Sequence, residues 1–318
     1  VFVGDVGRPD LLEKAAGIKG TQELGAHQMF HSLKRFKALP DYVQVWPGHG
    51  AGSACGKALG AVPSSTVGYE KLINWALAID DEEAFVKELL AGQPEPPKYF
   101  AMMKKLNKTG PNVLGTVPHP GRLSIGQFEN ALKNNITIVD TRDKLSFAGG
   151  HIPGSINIQD NSSFSTWAGW LLEYDKPFIL VARDSRIEPL TKALVRIGLD
   201  SISGYINDID KIANAGHEME IIQQIDVHTL HKESSDYFLL DVRGVSEYEA
   251  GSIEGAVNIH AGYIQDRFNE LPKDKKIAVY CAGGDRSAIA SSLLRLKGME
   301  NIYNVTGGMN AWKMAGLP

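Results

Sequence analysis

Cysteine is scarce here: the 318 residues hold two, Cys55 and Cys281. Two thiols cannot build the disulfide framework that small secreted domains rely on, so the expected setting is reducing and cytoplasmic. An excess of one charge is also missing. Thirty-three basic residues face 37 acidic ones, a formal net charge of −4, and the basic residues are scattered, which leaves no electrostatic footprint for nucleic acid or anionic lipid. No apolar run approaches the roughly 20 residues that cross a bilayer, and no targeting pattern opens the chain, so no membrane partner is expected. With 43% apolar and 22% charged residues, nothing suggests disorder, and the length allows two or three domains. Position 1 is valine, not methionine. Val1 to Gly4 reads as the interior of a strand, so the chain is expected to begin inside a domain.

Against this background one stretch stands out. Ile277 to Tyr280 is a short, β-branched apolar run, Cys281 to Arg286 (Cys-Ala-Gly-Gly-Asp-Arg) is a glycine-rich loop, and Ser287 to Lys297 places apolar residues at helical spacing. A loop joining a strand to a helix N-terminus suits an anion. The first helical amides lack partners and carry the positive end of the dipole, and glycines let neighbouring amides turn inward. A thiolate or persulfide at Cys281 fits this cradle, with Ala282, Gly283, Gly284, Asp285 and Ser287 around it and Arg286 as a fixed charge or a brace. The same residues also fit a small buried hydrophobe ending a core strand. The flanking motifs favour the nucleophile.

Those motifs are Asp241-Val-Arg243 upstream and Gly307-Gly-Met-Asn-Ala-Trp312 to Pro318 downstream. With the six-residue loop they resemble the rhodanese family of sulfurtransferases. The resemblance implies that Cys281 accepts a sulfane sulfur, becomes a persulfide and hands the sulfur to a second nucleophile. The related dual-specificity phosphatases fit less well, because their loop is one residue longer.

Shifting the chain by 101 positions lays Asp140-Thr-Arg142 to Ile158 over Asp241-Val-Arg243 to Ile259 without a gap, which marks an internal duplication. Each copy alternates short apolar strands with helical segments, the pattern of a parallel sheet covered by helices. The Asp-x-Arg pairs are expected to brace the turn after the first strand. The first copy carries Ala182 where the second has Cys281 and lacks the Gly-Gly pair, so it is expected to be an inactive domain that serves as spacer or interface.

The first third reads differently. Gly7-Arg8-Pro9-Asp10, a helical segment over 21–38, a strand over 41–46 and Pro47-Gly-His49-Gly-Ala-Gly-Ser-Ala-Cys55-Gly resemble the C-terminal part of a metallo-β-lactamase-fold domain. The likeness is to the persulfide dioxygenase group related to glyoxalase II. It implies an Fe(II) site beside or at His49, with Arg8 and Asp10 as bracing residues and the other ligands upstream of this chain. Asp5 is placed after the ligand strand and is not taken as a ligand, and Cys55 is read by default as an inert buried thiol, with a sulfur-sensitive group near the iron as the alternative. Helices are expected from Asp80 up to Gly92, which follows the helix end, and over 98–108, the latter covering this first domain.

The architecture expected is therefore α/β throughout. Residues 1–118 form the end of a metallo-β-lactamase-like αββα domain, 119–222 an inactive rhodanese-like domain and 223–318 an active one. This order resembles persulfide dioxygenase–sulfurtransferase fusions. That family oxidises low-molecular-weight thiol persulfides to sulfite at a non-heme iron and joins sulfane sulfur to sulfite, giving thiosulfate. Two other readings stay open: a sulfane-sulfur carrier or interaction protein loaded at Cys281, and a glyoxalase II-like hydrolase. Homo-oligomerisation is also open. Because Asp285 offsets Arg286 in the loop, small persulfides are expected to load Cys281 better than dianionic thiosulfate.

Overall fold

The computed structural model describes residues 1–4, 6–10, 13, 19–48, 64–93 and 95–318. The chain divides into two compact units, Val1–Pro96 and Pro97–Pro318.

In the first unit, β1 (Phe2–Val3) lies parallel to β2 (Gln44–Pro47), which pairs antiparallel with β3 (Ser65–Thr66). Between β1 and β2 runs α1 (Thr21–Lys37), with α2 (Val67–Ile73), α3 (Trp75–Ala78) and α4 (Glu82–Leu90) following β3. The helices pack around Ala26, Phe30, Ala76, Phe85 and Leu89. Asp81 caps α4 by accepting from the Ala84 N–H at 2.8 Å, the expected role of an acidic residue at a helix start.

The second unit opens with α5 (Tyr99–Thr109). Sequence reading assigns this helix to the first domain, but it packs in the second unit. A Cβ on Gly169 would overlap the Tyr99 ring, and one on Gly198 would overlap Leu106. Those two glycines open the groove that receives it, and the division falls at Pro96/Pro97 rather than near Pro118.

Two parallel sheets follow. The first contains, in chain order, α6 (Ile125–Lys133), β4 (Thr137–Asp140), α7 (Lys144–Ala148), β5 (Ile156–Asn157), α8 (Phe164–Leu171), β6 (Phe178–Val181), α9 (Asp184–Val195), β7 (Ile202–Ile206) and α10 (Ile209–Asn214), with strand order β5-β4-β6-β7. The second contains β8 (Gln223–Ile225), α11 (Val227–Lys232), β9 (Tyr237–Asp241), α12 (Val245–Glu249), β10 (Val257–Asn258), α13 (Ile264–Arg267), β11 (Lys276–Tyr280), α14 (Asp285–Leu296), β12 (Ile302–Val305) and α15 (Gly308–Met314), with order β10-β9-β11-β12-β8. The central strands β6 and β11 are almost wholly buried, as strands covered on both faces by helices must be. The fold is α/β, as expected.

The duplicated motif makes the same bonds twice. Arg142 chelates Asp140 and donates to the Gly150 carbonyl, while the Asn157 amide donates to the carbonyls of Asp140 and Arg142. Arg243, Asp241, Gly251 and Asn258 repeat this set. Both pairs therefore brace the turn. The two sheets also share a core, since one apolar cluster holds Val139, Ile158 and Leu180 together with Leu240, Val279 and Leu293. Across it, the Asn157 N–H donates to the buried Ser292 hydroxyl at 3.1 Å, and a Cβ on Gly262 would overlap the Trp170 ring.

Candidate active site

Cys281 follows directly on β11 at the C-terminal edge of the second sheet, where parallel α/β folds gather their sites. The residue is 1% exposed. Helix α14 begins at Asp285, two residues earlier than its apolar periodicity suggests, with Gly284 as N-cap in the left-handed region at φ 103°. That conformation, which glycine adopts without strain, turns the Gly284 N–H back onto the Cys281 Sγ at 3.1 Å. This is the amide that the cradle argument calls for. Ser287 does not face the sulfur: it is buried, and its hydroxyl donates to the Gly284 carbonyl at 3.2 Å, pinning the loop from behind.

The far side of the loop is held by α15. The Met309 N–H donates to the Cys281 carbonyl at 2.8 Å and the Asn310 N–H to the Ala282 carbonyl at 2.9 Å. Gly308 makes this approach possible, for it has φ 54° and no room for a Cβ beside the Cys281 carbonyl. The Gly-Gly at 307–308 is thus needed for close backbone contact.

Charge around the loop is arranged differently from the sequence expectation. Asp285 does not offset Arg286. The Arg286 guanidinium instead forms a two-pronged ion pair with Glu247 of α12, at 2.5 and 2.9 Å, and Glu247 also accepts from the Gly244 N–H at 3.2 Å. The Arg286 hydrogen bond holds the Glu247 carboxyl below the usual glutamate range, and the same bond raises Arg286. Arg286 is therefore a brace. Asp285 pairs with Lys144 of the first sheet's domain, whose Nζ lies 2.5 Å from Asp285 Oδ1 and 3.0 Å from the Gly283 carbonyl oxygen.

Glu247 and Lys144 are the two partners that sequence reading missed. For Glu247 a signal existed: it stands three residues after Gly244 at a helix start, where a carboxylate reaches back to a free amide. Lys144 carried no signal, because nothing local links it to a loop 139 positions away.

The first copy shows what the cysteine loop requires. There α9 starts two residues after Ala182, whereas α14 starts four after Cys281. Deleting the glycines has shortened the connection and removed the cradle. With the helix starts aligned, the positions matching Arg286 and Glu247 are Ser185 and Ser146. The ion pair and the thiol are absent from the same copy.

The family model for the rhodanese-like domain matches residues 124–215 and 226–315, together more than half of the chain. The chain belongs to the rhodanese-like family. A sulfurtransferase of Allochromatium vinosum is 33% identical over 101 residues, covering 31% of this chain and 94% of its own length. A putative sulfur carrier protein of Bacillus subtilis, YrkF, is 38% identical over 74 residues, covering 23% of this chain and 40% of its own. Among solved structures, a metallo-beta-lactamase from Staphylococcus aureus subsp. aureus COL is similar at TM-score 0.55 and 44% identity. The match covers 64% of this chain and 58% of that one, so the rhodanese-like chain spans somewhat more than half of that structure's length.

In the first unit Arg8 and Asp10 form a buried ion pair at 2.7 Å, while His49, Asp5 and Cys55 lie outside the described residues. Among the described residues no group of three or more His, Cys, Asp or Glu could hold a metal. No helix among them is long and apolar enough to cross a membrane.

Proposed function

We propose that this chain transfers sulfane sulfur through Cys281, as the sulfurtransferase part of a persulfide dioxygenase–sulfurtransferase. The observation that carries the reading is the Gly284 N–H directed at the Cys281 Sγ in the one repeat that keeps the cysteine. The Cys281 thiolate attacks the outer sulfur of a low-molecular-weight persulfide, forming a new S–S bond as the donor's own S–S bond breaks and its thiolate departs. The sulfur lone pair of sulfite then attacks the outer sulfur on Cys281. The Cys281 S–S bond breaks, its electrons return to Cys281 as thiolate, and thiosulfate leaves. Neither step needs an external oxidant. At both stages the amide cradle stabilises negative charge on sulfur.

Oxidation of the persulfide to sulfite belongs, in this reading, to an iron domain whose ligands the described residues do not supply. The similarity to a putative sulfur carrier favours a second reading, in which Cys281 is loaded once and discharged to a partner. Steady-state assay separates them. Multiple turnovers from a small persulfide to sulfite, lost in Cys281→Ser and kept in Cys55→Ser, are expected of the enzyme. One sulfur loaded per chain without turnover supports the carrier, and transfer persisting in Cys281→Ser would overturn both.

A further inference from the structure

The cysteine-free repeat does more than space the domains, because it places a cation at the rim of the Cys281 loop. Lys144 is the first residue of α7, and its own N–H donates to the Gln159 side chain at 3.1 Å. Helix α7 stands at the C-terminal edge of the first sheet, and from there the Lys144 Nζ reaches the Gly283 carbonyl and Asp285. A Cβ built on Gly284, whose amide holds the sulfur, would lie 3.4 Å from that Nζ.

The two cations at the loop are not equivalent. Arg286 is committed to Glu247 by two parallel bonds, a geometry in which a guanidinium is hard to redirect. Lys144 meets Asp285 through one carboxylate oxygen, and that carboxylate is 51% exposed. An ammonium carries three donors on a flexible stem. Two are used by the loop, and the third is available to an anion arriving at Cys281.

We propose that Lys144 is the anion-binding residue of the Cys281 site, drawing a sulfur oxyanion of the sulfite or thiosulfate class to the persulfide. The proposal rests on the sulfur-transfer reading and deepens it. Lys144 forms no covalent bond. It offsets the negative charge that accumulates when an oxyanion approaches a sulfur already held as an anion, and the first repeat is kept because it supplies that charge.

The test uses the full chain as Lys144→Met, Lys144→Arg and Asp285→Asn, each checked for an unchanged thermal midpoint. With a small persulfide donor, Lys144→Met is expected to raise KM for sulfite about tenfold at low salt while leaving transfer to neutral dithiothreitol within about twofold, and Lys144→Arg is expected to recover most of the loss. Asp285→Asn breaks the same tie but leaves the ammonium, so the ratio of sulfite use to dithiothreitol use is expected to hold or rise, whatever happens to the overall rate. If Lys144 were only a structural tie, Asp285→Asn would fail in the same way as Lys144→Met, and both acceptors would suffer equally. Either result overturns the proposal. A second readout does not depend on turnover. The ratio of iodoacetate to iodoacetamide alkylation at Cys281, followed by peptide mass spectrometry, is expected to fall severalfold in Lys144→Met and to converge on wild type at high salt. An unchanged ratio overturns the proposal even where no sulfur transfer is found, so its failure and that of the functional reading remain distinct.

Discussion

Gly308 and Cys281 are locked together backbone to backbone: the hydrogen that Gly308 carries in place of a Cβ faces the Cys281 carbonyl, where a methyl group would overlap the oxygen. The loop that presents the thiol is thus held from α15 as well as from its own helix. Gly308→Ala is expected to lower stability by about 1–3 kcal/mol, since the position also needs φ 54°. Sulfur transfer should fall by more than the unfolded fraction explains, because the Met309 and Asn310 amides would lose their hold on the loop. Chemical denaturation alongside kcat measures both. A variant of full stability and full activity would show that the close approach is dispensable.

The Arg286–Glu247 pair makes a pH prediction. Glu247 has its folded pKa lowered by the Arg286 hydrogen bond. Its contribution is therefore complete above the ordinary glutamate range and is lost as pH falls through the lower folded value. The Glu247 side chain is 41% exposed, so after solvent screening the pair is worth roughly 0.5–1 kcal/mol. Glu247→Gln should remove that increment at pH 7 and nearly nothing in acid. Arg286→Lys, which cannot reproduce the two-pronged bond, is expected to resemble it. Equal destabilisation of Glu247→Gln at both pH values would count against the assignment.

His151 supplies a second, stronger acid sensitivity. It is 1% exposed, stacked on Phe147 with ring centroids 3.9 Å apart, with Nδ1 3.0 Å from the Phe147 carbonyl oxygen. Burial lowers its pKa to about 4, against smaller raising effects from the Phe147 carbonyl and Asp140. A histidine lowered from its ordinary value makes the unfolded chain the better proton binder between those two pH values. Stability should decline as pH falls from about 6.5 towards 4, by on the order of 2–3 kcal/mol from this residue. Urea midpoints across that range, compared with those of His151→Asn, test it. Parallel curves for the two proteins would refute it.

Iron is the remaining expectation to measure. The family resemblance names His49 at or beside the metal, and one imidazole cannot hold iron without partners. Purified chain is expected to contain iron well below one atom per molecule by elemental analysis. Near-stoichiometric iron would mean that the chain carries partners for His49 that the resemblance does not name.

The duplication, the Ala182 for Cys281 exchange and the strand-loop-helix around the thiol could all be read from the sequence, because each depends on neighbours along the chain. A short, β-branched apolar run places β11, and the glycine pair opens the turn that follows it. The Asp-x-Arg braces were legible for the same reason, since Arg243 reaches Asp241 two positions away. Everything decided by contacts distant in sequence was hidden. Helix α5 has an amphipathic pattern that fits either neighbour, and only the gaps left by Gly169 and Gly198 assign it to the second unit. The loop charges read as Asp285 offsetting Arg286, because adjacency is all a sequence offers. Folding turned the two side chains to separate partners, Glu247 and Lys144, since successive residues at a helix start point about 100° apart around its axis. Chain order determines that there is a thiol in a glycine loop, and the packing of one repeat on the other decides which charges stand beside it.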